Sequence, residues 1–217
     1  MSEMMCDTCL AVDDFFSGKR ARKKYKKYLK SGADQSTKKL IAAIIEKNVE
    51  GATLLDIGGG LGAIHHELIE AGVSHAKCAD ASSDYISISK KEGERRNHSD
   101  KLSYHFGNYL DGASEIGNAE IVTLDKVICC FDDMKELVNI SSSNATRYYA
   151  LIFPREKWWT RLLIKFGNTM FPLFGKDFRI YLHPEKEVES IVIGNGFERV
   201  FYYNNILWQV ILYGKKN

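Results

Sequence analysis

Residues 54–62, Leu54-Leu55-Asp56-Ile57-Gly58-Gly59-Gly60-Leu61-Gly62, constrain this chain more than any other segment. An apolar run of strand length ends in Gly58, Gly60 and Gly62, spaced by two, and a helical stretch follows. Glycine there permits positive φ and lets a ligand lie against bare backbone, while the N–H groups that open the helix attract an anion. The spacing departs from the G-x-G-x-x-G of a dinucleotide fingerprint. Asp56 stands two positions before the first glycine, where it would repel a pyrophosphate and welcome an ammonium group. A zwitterion with both carboxylate and ammonium fits that pattern better than a diphosphate. A glycine-rich turn alone is a weak signal, and the structural alternative is a Rossmann-like sheet that binds another nucleotide or nothing.

The segments around this turn alternate. Short apolar runs occupy 52–57, 76–80, 102–107, 119–125, 147–153, 198–204 and 206–214, with helical stretches over 62–72, 82–96, 132–143 and 184–195. Such alternation predicts an α/β fold: a doubly wound, mostly parallel sheet of seven strands with helices on both faces. Only Asn204 and Asn205 separate the last two runs, which predicts a terminal antiparallel hairpin. The expected architecture adds a helical N-terminal cap, residues 1–50, to a ligand-binding domain over 51–217 with an inserted helical lid at about 154–181. Within the cap, residues 1–12 read as frayed. A helix is predicted from Asp13 to about Leu29, with Ala21, Tyr25, Tyr28 and Leu29 on one face, and another over Thr37–Asn48 through Leu40, Ile41, Ile44 and Ile45.

Composition narrows the class. A chain of 217 residues with 45% hydrophobic and 27% charged side chains is neither disordered nor collagenous. Five cysteines in this length point to a reducing compartment and hence a cytoplasmic location. The polar, acidic first residues give no sign of a signal peptide, and no stretch reaches the ~20 apolar residues of a membrane span. Net charge is +2, but residues 19–30, KRARKKYKKYLK, hold eight basic side chains and no acid. Removing those eight from the 30 Lys and Arg leaves 22 against 28 acids, so nucleic acid is not an expected partner.

The strand ends supply the remaining polar groups. Asp80 closes the second run, where a carboxylate can accept two hydrogen bonds from a ribose diol, and Ala81 follows it. Asn108-Tyr109 follows the third run and Asp125 ends the fourth. Asn108 is suited to an adenine amino edge, yet it and Asp125 serve equally well as caps of the helices that follow. Together these segments resemble the class I S-adenosylmethionine-dependent methyltransferases over most of 50–217. Asp56, Gly58, Gly60 and Gly62 match that family's glycine-rich motif, Asp80 its ribose-binding acid, and Asn108 stands where the family usually shows Asp. Trp208 and Gln209 in the last run resemble the family's sheet end. The layout is most similar to the magnesium-protoporphyrin O-methyltransferase-like branch of small-molecule methyltransferases. The resemblance implies S-adenosyl-L-methionine as cofactor, held by Asp56, Gly58, Gly60, Gly62, Asp80, Ala81, Asn108, Tyr109 and Asp125.

Methyl transfer chiefly demands alignment and exclusion of water, so an obligatory catalytic residue is not required. Residues 124–131, LDKVICCF, lack the N/D-P-P-Y/F motif of enzymes that methylate base or amide nitrogen, which favours an oxygen, carbon or sulfur of a small molecule. His65, His66 and His183 are the candidate bases; a helical His is more often a solvated or core residue. Cys129 and Cys130 read either as a thiol site with Cys6 and Cys9 or as two small buried hydrophobes, and no metal is expected. Tyr25 and Tyr28 are candidates to roof the acceptor pocket, while the basic helix around them reads first as a solvated face. Two other functions remain open: a non-catalytic protein that binds S-adenosylmethionine or S-adenosylhomocysteine, and an RNA methyltransferase guided by the basic helix.

The insertion carries WWTRLLIKFGNTMFPLF at 158–174, where Trp159, Leu162, Leu163, Phe166 and Met170 form one helical stripe opposite Arg161 and Lys165. Three placements fit: packing on the sheet, a lid in which Trp158, Trp159 and Phe166 meet a bulky apolar acceptor, or contact with a membrane surface.

Overall fold

Seven strands form one sheet in the order β3-β2-β1-β4-β5-β7-β6. They are β1 Thr53–Ile57, β2 His75–Asp80, β3 Leu102–Phe106, β4 Ala119–Asp125, β5 Ala145–Pro154, β6 Phe197–Asn204 and β7 Trp208–Lys215. The structure, a computed structural model, describes residues 7–216. Strands β1 to β5 pair in parallel, whereas β7 runs antiparallel to both β5 and β6. The predicted fold class and terminal hairpin are therefore both present. Central strands are apolar on both faces because helices cover both. Leu54 and Leu55 of β1, successive and oppositely directed, are fully buried.

Nine helices among the described residues flank the sheet: α1 Asp7–Phe16, α2 Gly18–Ser31, α3 Gln35–Ile45, α4 Ala63–Glu70, α5 Ser83–Arg96, α6 Tyr109–Ile116, α7 Met134–Ser143, α8 Trp158–Leu173 and α9 Glu185–Gly194. Ala113 and Ile116 of α6, Leu137 and Val138 of α7, and Val188 and Val192 of α9 fill one core with Leu55, Val122 and Leu151. Leu40 and Ile44 of α3 and Ile64 and Leu68 of α4 fill the other with Leu54, Ile121 and Val210.

Four sequence expectations change. Residues 7–12 are helical instead of frayed, and the predicted helix from Asp13 to Leu29 is two helices, parted where Gly18 takes φ +62°. Leu29, expected on the apolar face, is exposed. Helix α3 belongs to the sheet's own covering layer, so α1 and α2 alone form the cap. Helix α6 was not foreseen; its small residues and mixed pattern over 109–116 give a weak periodic signal.

The strand order reverses between β1 and β4, which lie side by side although the chain leaves β1 towards β2. In such sheets the crevice beyond the carboxyl ends at this switch point receives the ligand. The glycine turn sits there.

Candidate cofactor cleft at the glycine turn

The three glycines are required for different reasons. A Cβ on Gly58 would stand 2.3 Å from Val127 Cγ2, and one on Gly62 would stand 2.5 Å from the His66 ring. Both are glycine because the protein packs against them. A Cβ on Gly60 would meet nothing closer than 3.8 Å, at the Gly58 carbonyl and the Tyr85 ring. Gly60 thus has room for a methyl-sized group at ordinary van der Waals distance, with φ +57°.

Asp80 lies beside that notch at the end of β2. Its Oδ2 accepts the Gly60 N–H at 2.7 Å and its Oδ1 accepts the Ser82 N–H at 2.7 Å. Each oxygen keeps a lone pair, so the carboxylate remains a two-point acceptor for a diol. Burial pushes its pKa up to about 6, against the pull of those two N–H groups. The half-buried Ala81 continues the chain past it. Tyr85, on the first turn of α5, is 4% exposed and its buried hydroxyl has no hydrogen-bond partner among the described residues. Buried polar groups are ordinarily satisfied, so this hydroxyl beside Gly60 is left able to pair with a further polar atom.

The cap closes over this region. Tyr28 and Ala21 pack with Leu61 of the glycine turn and with Tyr85. The tyrosine hydroxyls, however, are turned to α5: Tyr25 donates to Glu92 Oε2 at 2.8 Å, and Tyr28 accepts from Arg96 at 2.9 Å. Lys24 reaches inward instead, its ammonium 5.0 Å from the Tyr85 ring centroid and 5.9 Å from that of Phe16. Burial lowers its pKa, opposed by the charges of Asp125, Asp80 and Asp34. Neither Lys24 nor Tyr85 was singled out from the sequence: one is hidden in a charge run and the other lies at the start of a helix without a motif.

Asp56 does not open onto the cleft. It is 1% exposed, accepting Thr123 Oγ1 at 2.7 Å and His65 Nδ1 at 2.9 Å. His65 Nε2 pairs with Ser89 Oγ at 2.9 Å, and Ser89 in turn with the Tyr104 hydroxyl at 3.2 Å. Asp, His and Ser in that order match a nucleophile triad, but all three are sealed beneath the turn. His66 is likewise fully buried, against the Ser89 carbonyl and His98, and desolvation lowers its pKa to about 3, which keeps it neutral. As candidate bases, His65 and His66 are corrected: the α4–α5 interface encloses them. His183 spends its Nε2 on the Ile128 and Phe131 carbonyls, both at 2.9 Å, tying the exit of the insertion to the turn after β4.

Asn108 caps α6 by accepting the Leu110 N–H at 3.3 Å. Tyr109 turns into the core, its hydroxyl accepting from Asn144 at 2.8 Å, so its side chain is withdrawn from the cleft. Asp125 accepts Thr37 Oγ1 at 2.5 Å and Lys126 Nζ at 2.9 Å, and Lys126 also reaches Asp34 at 2.8 Å. This cluster ties the start of α3 to the end of β4, and Lys126 holds it at φ +63°. Cys129 is buried, its thiol 3.5 Å from the Lys126 carbonyl. Cys6 lies outside the described residues. Among those described, no group of three or more His, Cys, Asp or Glu is placed to hold a metal ion.

Leu162, Leu163 and Phe166 of the α8 stripe face away from the core, while Met170 is half-buried. Trp158 and Phe166 are 75% and 65% exposed, and only Thr160 on this helix is fully buried. Trp159 is half-buried.

Among solved structures, the chain is similar over 97% of its length to magnesium protoporphyrin IX methyltransferase from Synechocystis PCC 6803 with bound SAH, all of which it covers, at 18% identity and TM-score 0.75. The fold is that of the class I S-adenosylmethionine-dependent methyltransferases. An O-methyltransferase family protein from Burkholderia thailandensis is similar over 94% of this chain and 62% of its own, at 15% identity and TM-score 0.68. An O-methyltransferase family 2 protein from Planctomyces limnophilus, in complex with apigenin, is similar over 86% and 63%, at 14% identity and TM-score 0.59. No protein-family model matches the chain, and no curated protein matches it.

Proposed function

We propose that the protein transfers a methyl group from S-adenosyl-L-methionine to a small-molecule acceptor. One observation carries this reading: the uncrowded notch at Gly60, flanked by the Asp80 carboxylate and by a Tyr85 hydroxyl that nothing among the described residues satisfies. These residues fit the cofactor. Asp80 would hold the ribose hydroxyls, Gly60 would admit the ligand against backbone, and Tyr85 would meet a polar atom. Asn108 and Ala81 border the cleft as candidate adenine contacts through side chain and backbone, and only the backbone of Tyr109 is left to join them. Bound there, the cofactor supplies an electrophilic sulfonium methyl. The chain's part is to align an acceptor nucleophile and exclude water. The cap supplies that enclosure, with Phe16, Lys24 and Tyr28 above the turn. Asp56 acts through His65 and Thr123, bracing the turn from beneath.

With His65 and His66 sealed, the acceptor would bring a nucleophile that needs no imidazole base, such as an ionised oxygen or a thiolate. Cys129 and the Asp125–Lys126 cluster stand at the end of β4, where the acceptor would approach.

Calorimetry with S-adenosylhomocysteine, and transfer of labelled methyl into a metabolite extract, test the two halves separately. Asp80→Ala should weaken binding by ~1–3 kcal/mol, the cost of leaving ribose hydroxyls unpaired. Tyr85→Phe should weaken binding while leaving the ligand-free fold as stable or more so, since an orphan hydroxyl contributes nothing. Unchanged affinity in both variants sinks the cofactor assignment; binding without any labelled product points to the non-catalytic alternative.

A further inference from the structure

Helix α8 exposes a face that a helix in solution ordinarily buries. At about 100° per residue, Trp158, Leu162, Leu163, Phe166 and Leu173 fall within one arc of roughly 140°. Each is between 54% and 75% exposed, and Phe174 just beyond is 74% exposed. Single exposed apolar side chains need no explanation, but a contiguous set of this size marks an interaction surface. Lys165 and Arg161 stand at the border of the arc. Helix α2 presents a second unpartnered face. Apart from Lys24, which leans in over Tyr85, its seven other basic side chains are exposed, and none of the eight has an ion pair among the described residues.

One aromatic cluster joins these two helices. The Arg20 guanidinium lies 3.8 Å over the Phe15 ring, and Phe15 packs 5.2 Å from Phe171 of α8 and 4.1 Å from Phe178. The bordering acids Asp14 and Glu156 are already paired, with Lys176 at 2.7 Å and Arg161 at 2.8 Å. The combined surface is apolar and predominantly cationic, with Asp177, exposed and without an ion pair among the described residues, as an acid beside it. We propose that α8 and α2 together dock the protein on an anionic lipid bilayer, α8 lying in the interface plane and α2 meeting the headgroups. An interfacial helix buries an apolar face to headgroup depth, and each nearby Lys or Arg adds attraction to anionic lipid. A second copy fits poorly, because a two-fold contact sets the same patch on both sides and brings two predominantly basic faces together. No helix among the described residues can cross a membrane, so the attachment is peripheral.

The test is co-sedimentation of the full chain with phosphatidylcholine vesicles, with and without phosphatidylserine. Binding to the anionic vesicles is expected, at least fivefold weaker without phosphatidylserine and falling steeply with added salt. Leu162→Glu should reduce it about tenfold through the apolar face, and Lys23→Glu with Lys27→Glu should do so through the headgroup attraction, each at an unchanged melting temperature. Three results overturn the proposal: no pelleting of the parent chain, equal pelleting with neutral vesicles, or Leu162→Glu binding as the parent does. A dimer in size-exclusion chromatography that Leu162→Glu dissociates would also overturn it, assigning the face to a second copy. Lys23, Lys27 and Leu162 are not among the residues placed at the glycine turn, so these outcomes leave the methyl-transfer reading as it stands.

Discussion

Gly58 and Gly60 share a left-handed backbone but differ in what their missing side chains would touch, and that difference is measurable. Gly58→Ala drives a methyl into Val127 as well as straining φ +63°, so it should destabilise the fold by ~2–4 kcal/mol. Gly60→Ala meets only the backbone term, ~1–2 kcal/mol. Gly60→Arg should fold yet abolish S-adenosylhomocysteine binding by filling the notch; denaturant unfolding and calorimetry on the three variants separate packing from ligand space. Asp80 makes a pH prediction. Its pKa is raised to about 6 in the folded chain from 3.8. Raised in the folded state, it favours folding when protonated, a contribution present below pH 3.8 and lost as pH rises through 6. Ligand affinity should run the other way, because a protonated carboxyl no longer offers two acceptors to a diol. Between pH 7 and 5, ligand-free stability relative to Asp80→Ala should therefore rise while affinity falls. Parallel trends would contradict it.

At the scale of elements, the cap is held by one buried acid. Glu92 of α5 is fully buried and accepts from Arg95, from Arg96 at 2.7 Å and from the Tyr25 hydroxyl. Arg96 extends the network to Glu67, Glu70 and Tyr28. The Arg95 hydrogen bonds lead in holding the Glu92 carboxyl down to about 2, despite its burial. Its contribution is present above the ordinary value of 4.5 and lost as pH falls towards 2. Glu92→Gln should lower stability by ~1–2 kcal/mol at pH 7, since two arginines and a tyrosine lose a charged partner. The variant should also lose part of the parent's acid sensitivity between pH 5 and 3. Because α2 roofs the glycine turn, cofactor affinity should drop with it; an unchanged affinity would mean that the cap does not enclose the ligand.

For the whole molecule, ligand and fold are linked by mass action. S-adenosylmethionine at 100 times its dissociation constant should stabilise the chain by ~2.7 kcal/mol, read as a rise in melting temperature that saturates at one ligand per chain. The basic face of α2 suits a polyanionic surface, but the rest of the chain is acidic. Transfer RNA should therefore bind weakly and lose its hold as salt is raised, without changing cofactor affinity. Tight, salt-resistant RNA binding with methyl incorporation would replace the small-molecule reading.

Seven strands, their helical crossovers other than α6, and the closing hairpin were legible because period and turn chemistry are local properties of the chain. The glycine turn and Asp80 were legible for the same reason, each at the end of an apolar run. Tertiary structure alone decided which glycine borders ligand space, because Val127 and the histidine rings come from elsewhere in the fold. It also decided that His65 and His66 lie sealed beneath the turn, since a helix start shows which residues are adjacent but not which neighbour covers them. On α8 the periodicity defined the stripe and left its direction open. A periodic pattern defines a face, and only the packing of Thr160, Asn168 and Phe171 against the rest of the molecule determined that this face looks outward.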